Sequence, residues 1–156
     1  MEILTQYVLP CLWAFLACAG FCILYNIHGL GIVICSAGGA WGWLVYLVAE
    51  HFLADRFAAA LLAGIGIAVY SEVMARIRKC PVSGYLLIAF FPLVPGGGIY
   101  YTMMAYFNGT YDQFITQGRS TMAMAGGLAI GVLLVSSTVR MLNQSLQKRR
   151  QRNASL

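Results

Sequence analysis

The sequence predicts an all-α, polytopic membrane protein of about five transmembrane helices, the fourth of them broken by prolines and glycines. Three observations predict it. Of 156 residues, 60% are hydrophobic and only 10% are charged, against about 25% charged in a soluble domain; the mean hydropathy is +0.75. Five apolar stretches each reach the roughly 20 residues needed to cross a bilayer. Basic residues gather in alternate loops and at the C-terminal end.

In chain order, the first stretch covers 5–25 and ends at Asn26-Ile27-His28-Gly29. The opening residues MEILTQ are acidic rather than basic, so this stretch reads as a span and not as a cleaved signal. The second, 30–49, ends at Glu50-His51, and the third, 56–75, ends at the basic cluster Arg76, Arg78, Lys79. The fourth, 82–107, contains the run AFFPLVPGGGIYY at 89–101. The fifth, 120–142, precedes a basic end in which Lys148, Arg149, Arg150 and Arg152 lie among the last nine positions. Residues 1–147 therefore read as one transmembrane domain and 148–156 as a basic cytoplasmic tail.

With that tail inside, five spans put the N-terminus outside. Loops near 26–29 and 76–81 are then inner, and those near 50–56 and 108–119 outer. Eight basic residues fall on the inner side, and Arg56 and Arg119 fall outside, as the positive-inside rule expects. Small residues recur at helix-packing spacing: Gly38/Gly42, Gly127/Gly131 and, more weakly, Ala60/Gly64. Such pairs let helix backbones approach closely.

The net charge of +5 lies at these inner positions and does not point to nucleic acid. No nucleotide-binding loop of Walker type is present, so ATP bound by this chain is not its energy source. Cys11, Cys18, Cys22, Cys35 and Cys80 form no CxxC pair and no Cys/His cluster. They read as small packing residues, and no metal or cofactor is expected. No Ser/His/Asp or paired-carboxylate spacing stands out, so the chain does not read as an enzyme.

Two constellations carry chemistry. A continuous helix cannot easily pass two prolines and three glycines. Backbone groups freed by that break cannot face lipid, so Pro92, Pro95, Gly96, Gly97 and Gly98 are expected to line a polar cavity near the membrane midplane. A helix restarting near Ile99 and running through Tyr100 would offer free N–H groups to a carboxylate. The second constellation is Glu72, the one acidic residue within an apolar stretch. An ionisable group at that depth is a functional candidate and suits a proton relay. Its spacing to Arg76 equally suits an i,i+4 ion pair, and the two readings coexist. His28 and His51 read as interfacial.

Glu72-x-x-Ala75-Arg76, then Pro81, then Pro92-Leu93-Val94-Pro95-Gly96-Gly97-x-x-Tyr100 resembles the threonine/serine exporter family. It is similar specifically to the small, membrane-only subunit of the two-component version. The resemblance runs over 56–107 and implies export of small hydroxy amino acids, or of dicarboxylates such as succinate. It also implies a larger membrane subunit of the same family as partner. The expected function is that of one subunit of a heteromeric secondary exporter in a bacterial inner membrane, driven by the proton gradient. Pro92, Pro95, Gly96, Gly97, Gly98 and Tyr100 would bind substrate, and Glu72 with Arg76 would couple protons. The rival is a scaffold that transports nothing and stabilises its larger partner.

Overall fold

The computed structural model describes the backbone of residues 4–154 and the side chains of 5–145. Glu2 and the side chains of Lys148, Arg149, Arg150 and Arg152 lie outside the described residues. A π-helical turn, Leu4–Val8, leads into α1 (Leu9–Leu24). Then follow α2 (Leu30–Leu53), α3 (Arg56–Arg78), α4 (Val82–Phe90), a 3₁₀ turn (Phe91–Leu93), α5 (Gly96–Phe107) and α6 (Tyr111–Ala154). No strand occurs among the described residues. Four helices are long and apolar enough to cross a membrane, and Val82–Leu93 with Gly96–Phe107, bent by 42° at the break, make a fifth if the pair is one span.

Helices occupy all five expected stretches, the first four with ends displaced by at most four residues and the fifth much extended. Hydropathy falls at the first charge, but a helix continues until its backbone is capped. Thus α2 runs past Glu50 to a left-handed Ala54 (φ 51°), and α3 runs past Arg76 to a left-handed Lys79 (φ 54°). Asp55 caps α3 by accepting from the Phe57 amide at 3.1 Å. Pro10 is the second residue of α1, directly after the π-helical turn.

One expectation is corrected. The outer loop placed at 108–119 is a turn of three residues, and α6 begins at Tyr111. Gly109 takes φ +70°, and the Thr110 amide donates back to Ala105 at 3.0 Å, which closes α5. The segment Tyr111–Arg119 is too polar to read as a span, yet it lacks proline and carries Asp112 in its first turn, which favours a helix start. α6 thereby reaches 44 residues, about 66 Å at 1.5 Å per residue.

The core is made of small residues in contact. α3 and α6 run side by side in the same direction along a seam of glycines. A Cβ on Gly127 would stand 2.5 Å from the Phe57 carbonyl oxygen, and one on Gly64 would stand 2.7 Å from that of Leu128. A Cβ on Gly131 would overlap the Leu61 carbonyl. The α2 glycines receive side chains instead. Gly38 faces the Tyr70 ring, Gly39 faces Cys18 and Pro92, and Gly42 faces Ile67 and Leu93. The Tyr70 hydroxyl donates to the Ile34 carbonyl at 2.8 Å, pinning α3 to α2.

The seam makes a contrast that can be measured. Gly127→Leu is expected to cost about 1–3 kcal/mol by overpacking, read as a lower melting temperature in detergent. Gly20→Ala meets nothing within 4 Å and should melt like the parent or slightly higher. Equal melting of Gly127→Leu and the parent would contradict the close seam.

Candidate functional site

The break divides the proline-glycine segment into an anchored half and an open half. In the anchored half, Phe91 stacks on Phe21 of α1 with ring centroids 4.1 Å apart and planes within 3°. Pro92 lies against the Gly39 position of α2, and Leu93 is fully buried beside Gly42. These residues hold the break in the bundle. In the open half, Val94 is extended and Pro95 precedes the first turn of α5. The Gly96 amide donates to the Val94 carbonyl at 2.7 Å, and the Ile99 amide to the Pro95 carbonyl at 3.1 Å. The Gly97 and Gly98 amides have no backbone acceptor, and no side chain caps α5. Gly96 and Gly97 border open space, whereas Gly98 packs on Thr121.

The candidate residues are thus not equivalent. Pro95, Gly96 and Gly97 surround the uncapped start of α5. Pro92 and Gly98 are packed against α2 and α6. Tyr100 is 61% exposed and turns edge-on to Tyr101 at 5.4 Å, away from the groove lining.

Beside the break, α5 and α6 enclose a groove of about 540 Å³. Its walls are chiefly apolar, with Pro95, Ile99, Met103, Ile115 and Met122 among them. The polar side chains that border it are Thr102, Thr121 and Arg119. The expected polar cavity is therefore a largely apolar groove with three polar contributors. The reason is local: Thr102 Oγ1 donates to the Gly98 carbonyl and Thr121 Oγ1 to the Gln117 carbonyl, each at 2.7 Å, so part of the polarity is folded back into the helices.

Arg119 is the residue that sequence reasoning missed. Read as a loop charge, it is a helical residue shared by two cavities. It borders the groove and also a second cavity of about 540 Å³ with Arg56, Thr116 and Ser120. There Arg56 donates to Ser120 Oγ at 2.7 Å and lies 3.7 Å from Glu50, which in turn accepts from the Tyr46 hydroxyl at 3.3 Å. Arg119 has no ion pair among the described residues. The sequence held no signal for it: Arg119 flanks the α5–α6 contact because it follows Gly118, which faces Thr102 only in the folded chain.

Glu72 and Arg76 sit together, 3.6 Å apart, with side chains 15% and 54% exposed. They do not border the groove at the break. Among the described residues no group of three or more His, Cys, Asp or Glu could hold a metal ion.

What the arrangement can do follows from its donors. An uncapped helix start carrying two free amides attracts an anion, and a guanidinium grips a carboxylate through paired donors. Long apolar helices around a discontinuous, groove-lining helix fit a multi-pass membrane protein. The chain matches the threonine/serine exporter (ThrE) family over residues 10–138 and belongs to that family. No curated protein and no solved structure matches it.

Two outcomes test the site's architecture. Gly97→Leu should fold and melt like the parent, because its side chain enters open space, whereas Gly98→Leu should separate α5 from α6 and reduce folded yield. Glu72→Gln should change stability by no more than about 1 kcal/mol, since its partner is half exposed. Chemical denaturation in micelles reads both.

Proposed function

We propose that this chain is the small membrane subunit of a heteromeric secondary exporter for carboxylate-bearing metabolites. Threonine/serine-type amino acids and dicarboxylates such as succinate are the substrate classes. One observation carries the reading: the Gly97 and Gly98 amides are unpaired at a break that opens beside a groove. A transporter uses such half-helix starts to hold anionic groups. The substrate carboxylate would meet these amides and the Arg119 guanidinium, and would leave through the cavity shared with Arg56.

The partner is proposed to be a larger membrane subunit of the same family. The groove is walled by α5 and α6, and α5 packs principally on α6. Its remaining surface exposes Tyr100, Tyr101, Met104 and Phe107. A second subunit seated there would close the groove. The proposed setting is a bacterial inner membrane with the C-terminus cytoplasmic, on the strength of Arg76, Arg78, Lys79 and Arg140 at one end of the bundle. Glu72 is the proposed proton-coupling residue, with Arg76 setting its charge.

Efflux from cells loaded with threonine or succinate tests the reading, with each subunit alone and both together. Export should need both chains, and Gly97→Leu should lower it at least about tenfold, which corresponds to about 1.4 kcal/mol, while leaving membrane insertion intact. Normal export from Gly97→Leu would argue against substrate at the break. Full export by the partner alone, with this chain only raising its abundance, would favour the scaffold. If Glu72 relays protons, Glu72→Gln should stop gradient-driven export and spare substrate exchange. Recovery of export in Glu72→Gln with Arg76→Gln would eliminate the relay, since no carboxylate remains at that site.

A further inference from the structure

A smaller cavity of about 380 Å³ lies at the end of the bundle opposite Arg56, where the α1–α2 and α3–α4 connections meet. Its polar lining is made of donors from three directions. Arg78, at the end of α3, supplies a guanidinium, and His28 stands on the facing connection with Nδ1 2.9 Å from the Asn26 carbonyl. Ser83 and Gly84 come from the first turn of α4. That helix start has Pro81 before it and no side-chain cap, and the Val82, Ser83 and Gly84 amides have no backbone acceptor. Tyr85, 7% exposed, lines the cavity with its phenol beside the Arg78 and Cys80 side chains.

Charge balance points the same way. Glu72 is taken by Arg76, and no carboxylate lines the cavity. Arg78 has no ion pair among the described residues. The two connections turn at Asn26 (φ 57°), Gly29 (φ 66°) and Lys79 (φ 54°), and the Arg78, His28 and Ser83 side chains that border the cavity are exposed. The volume is at the low end for small-molecule pockets, and Ile27, Gly31 and Cys35 form an apolar floor.

We infer that this cavity is a second carboxylate-binding site, which receives a small metabolite at the basic face before it reaches the broken helix. The ligand's identity rests on the exporter reading; the site itself rests on the converging guanidinium, phenol and uncapped helix start. The carboxylate would lie across the Arg78 fork and the α4 amides, with its short aliphatic part on the apolar floor.

Cys80 makes the site testable without transport. It lines the cavity and is exposed, whereas Cys18, Cys22 and Cys35 are buried. In a Cys11→Ser background, the full chain in nanodiscs is labelled with a charged maleimide. Succinate or threonine at about ten times its Kd should slow labelling of Cys80 about tenfold, because only the unoccupied fraction reacts. Arg78→Gln should abolish the protection and Arg78→Lys should keep part of it. Tyr85→Phe, which preserves shape, should weaken it. The inference is overturned if neither acid protects, or if inorganic phosphate at equal ionic strength protects as well. It is also overturned if labelling is slow in phosphatidylglycerol, fast in phosphatidylcholine and indifferent to both acids, which assigns the site to a lipid headgroup. Export with no protection rejects this site alone, and protection with no export rejects the exporter reading alone.

Discussion

The close approach of α3 and α6 is the constraint on which the rest depends. Without a hydrophobic drive between helices in lipid, association comes from packing and short polar contacts. Gly127 and Gly131 bring α6 down onto the Phe57 and Leu61 carbonyls, and Gly64 returns the contact at Leu128. Backbone at that range gains dispersion and weak Cα–H···O contacts that any side chain would forfeit. α3 in turn carries α2 and α4, and α6 carries α5. The seam therefore joins the anchored half of the molecule to the half that bears the open helix start.

That division explains how a broken span is tolerated. A helix interruption leaves amides and carbonyls that lipid cannot satisfy. Here the settlement is partial: the Val94 and Pro95 carbonyls accept from Gly96 and Ile99, while the Pro92 and Leu93 carbonyls receive no backbone donor. Phe21 and Gly39 clamp the turn just before it. Also unpaired is a pair of donors at Gly97 and Gly98. The break thus offers N–H groups at Gly97 and Gly98 beside the free carbonyls of Pro92 and Leu93, and free N–H groups recur at the start of α4.

The spans and the break were legible in the sequence because both follow from single-residue chemistry. Apolar runs of span length and a Pro-Gly cluster need no knowledge of neighbours, and the same holds for the glycine pairs at 127/131 and 38/42. What was not legible depends on contacts between distant segments. Residues 28 and 78 share a cavity although 50 positions separate them, and Arg56 and Arg119 meet across 63. In the sequence, Arg78, Arg56 and Arg119 register only as topology markers. The start of α6 was hidden for a related reason: Tyr111–Arg119 is helical but polar, and hydropathy detects lipid contact rather than helix. Even Pro92 and Pro95, three positions apart in one motif, part company, one packed in the bundle and the other facing the groove.

Recognition by backbone amides and a guanidinium, as proposed, would have a consequence for specificity. These groups address a carboxylate, which threonine, serine and succinate all carry, so they cannot sort one from another. Strong discrimination arises when a site is built to hydrogen-bond a group that the rival lacks. In this groove the Thr102 and Thr121 protons are committed to the Gly98 and Gln117 carbonyls. Their oxygens still accept, which suits an ammonium or a substrate hydroxyl. A second carboxylate would instead need a donor, and among the lining side chains that leaves Arg119. On the proposed reading, the choice between an amino acid and a dicarboxylate would turn on whether Arg119 is spent on the first carboxylate or kept for a second, and on what the facing wall contributes.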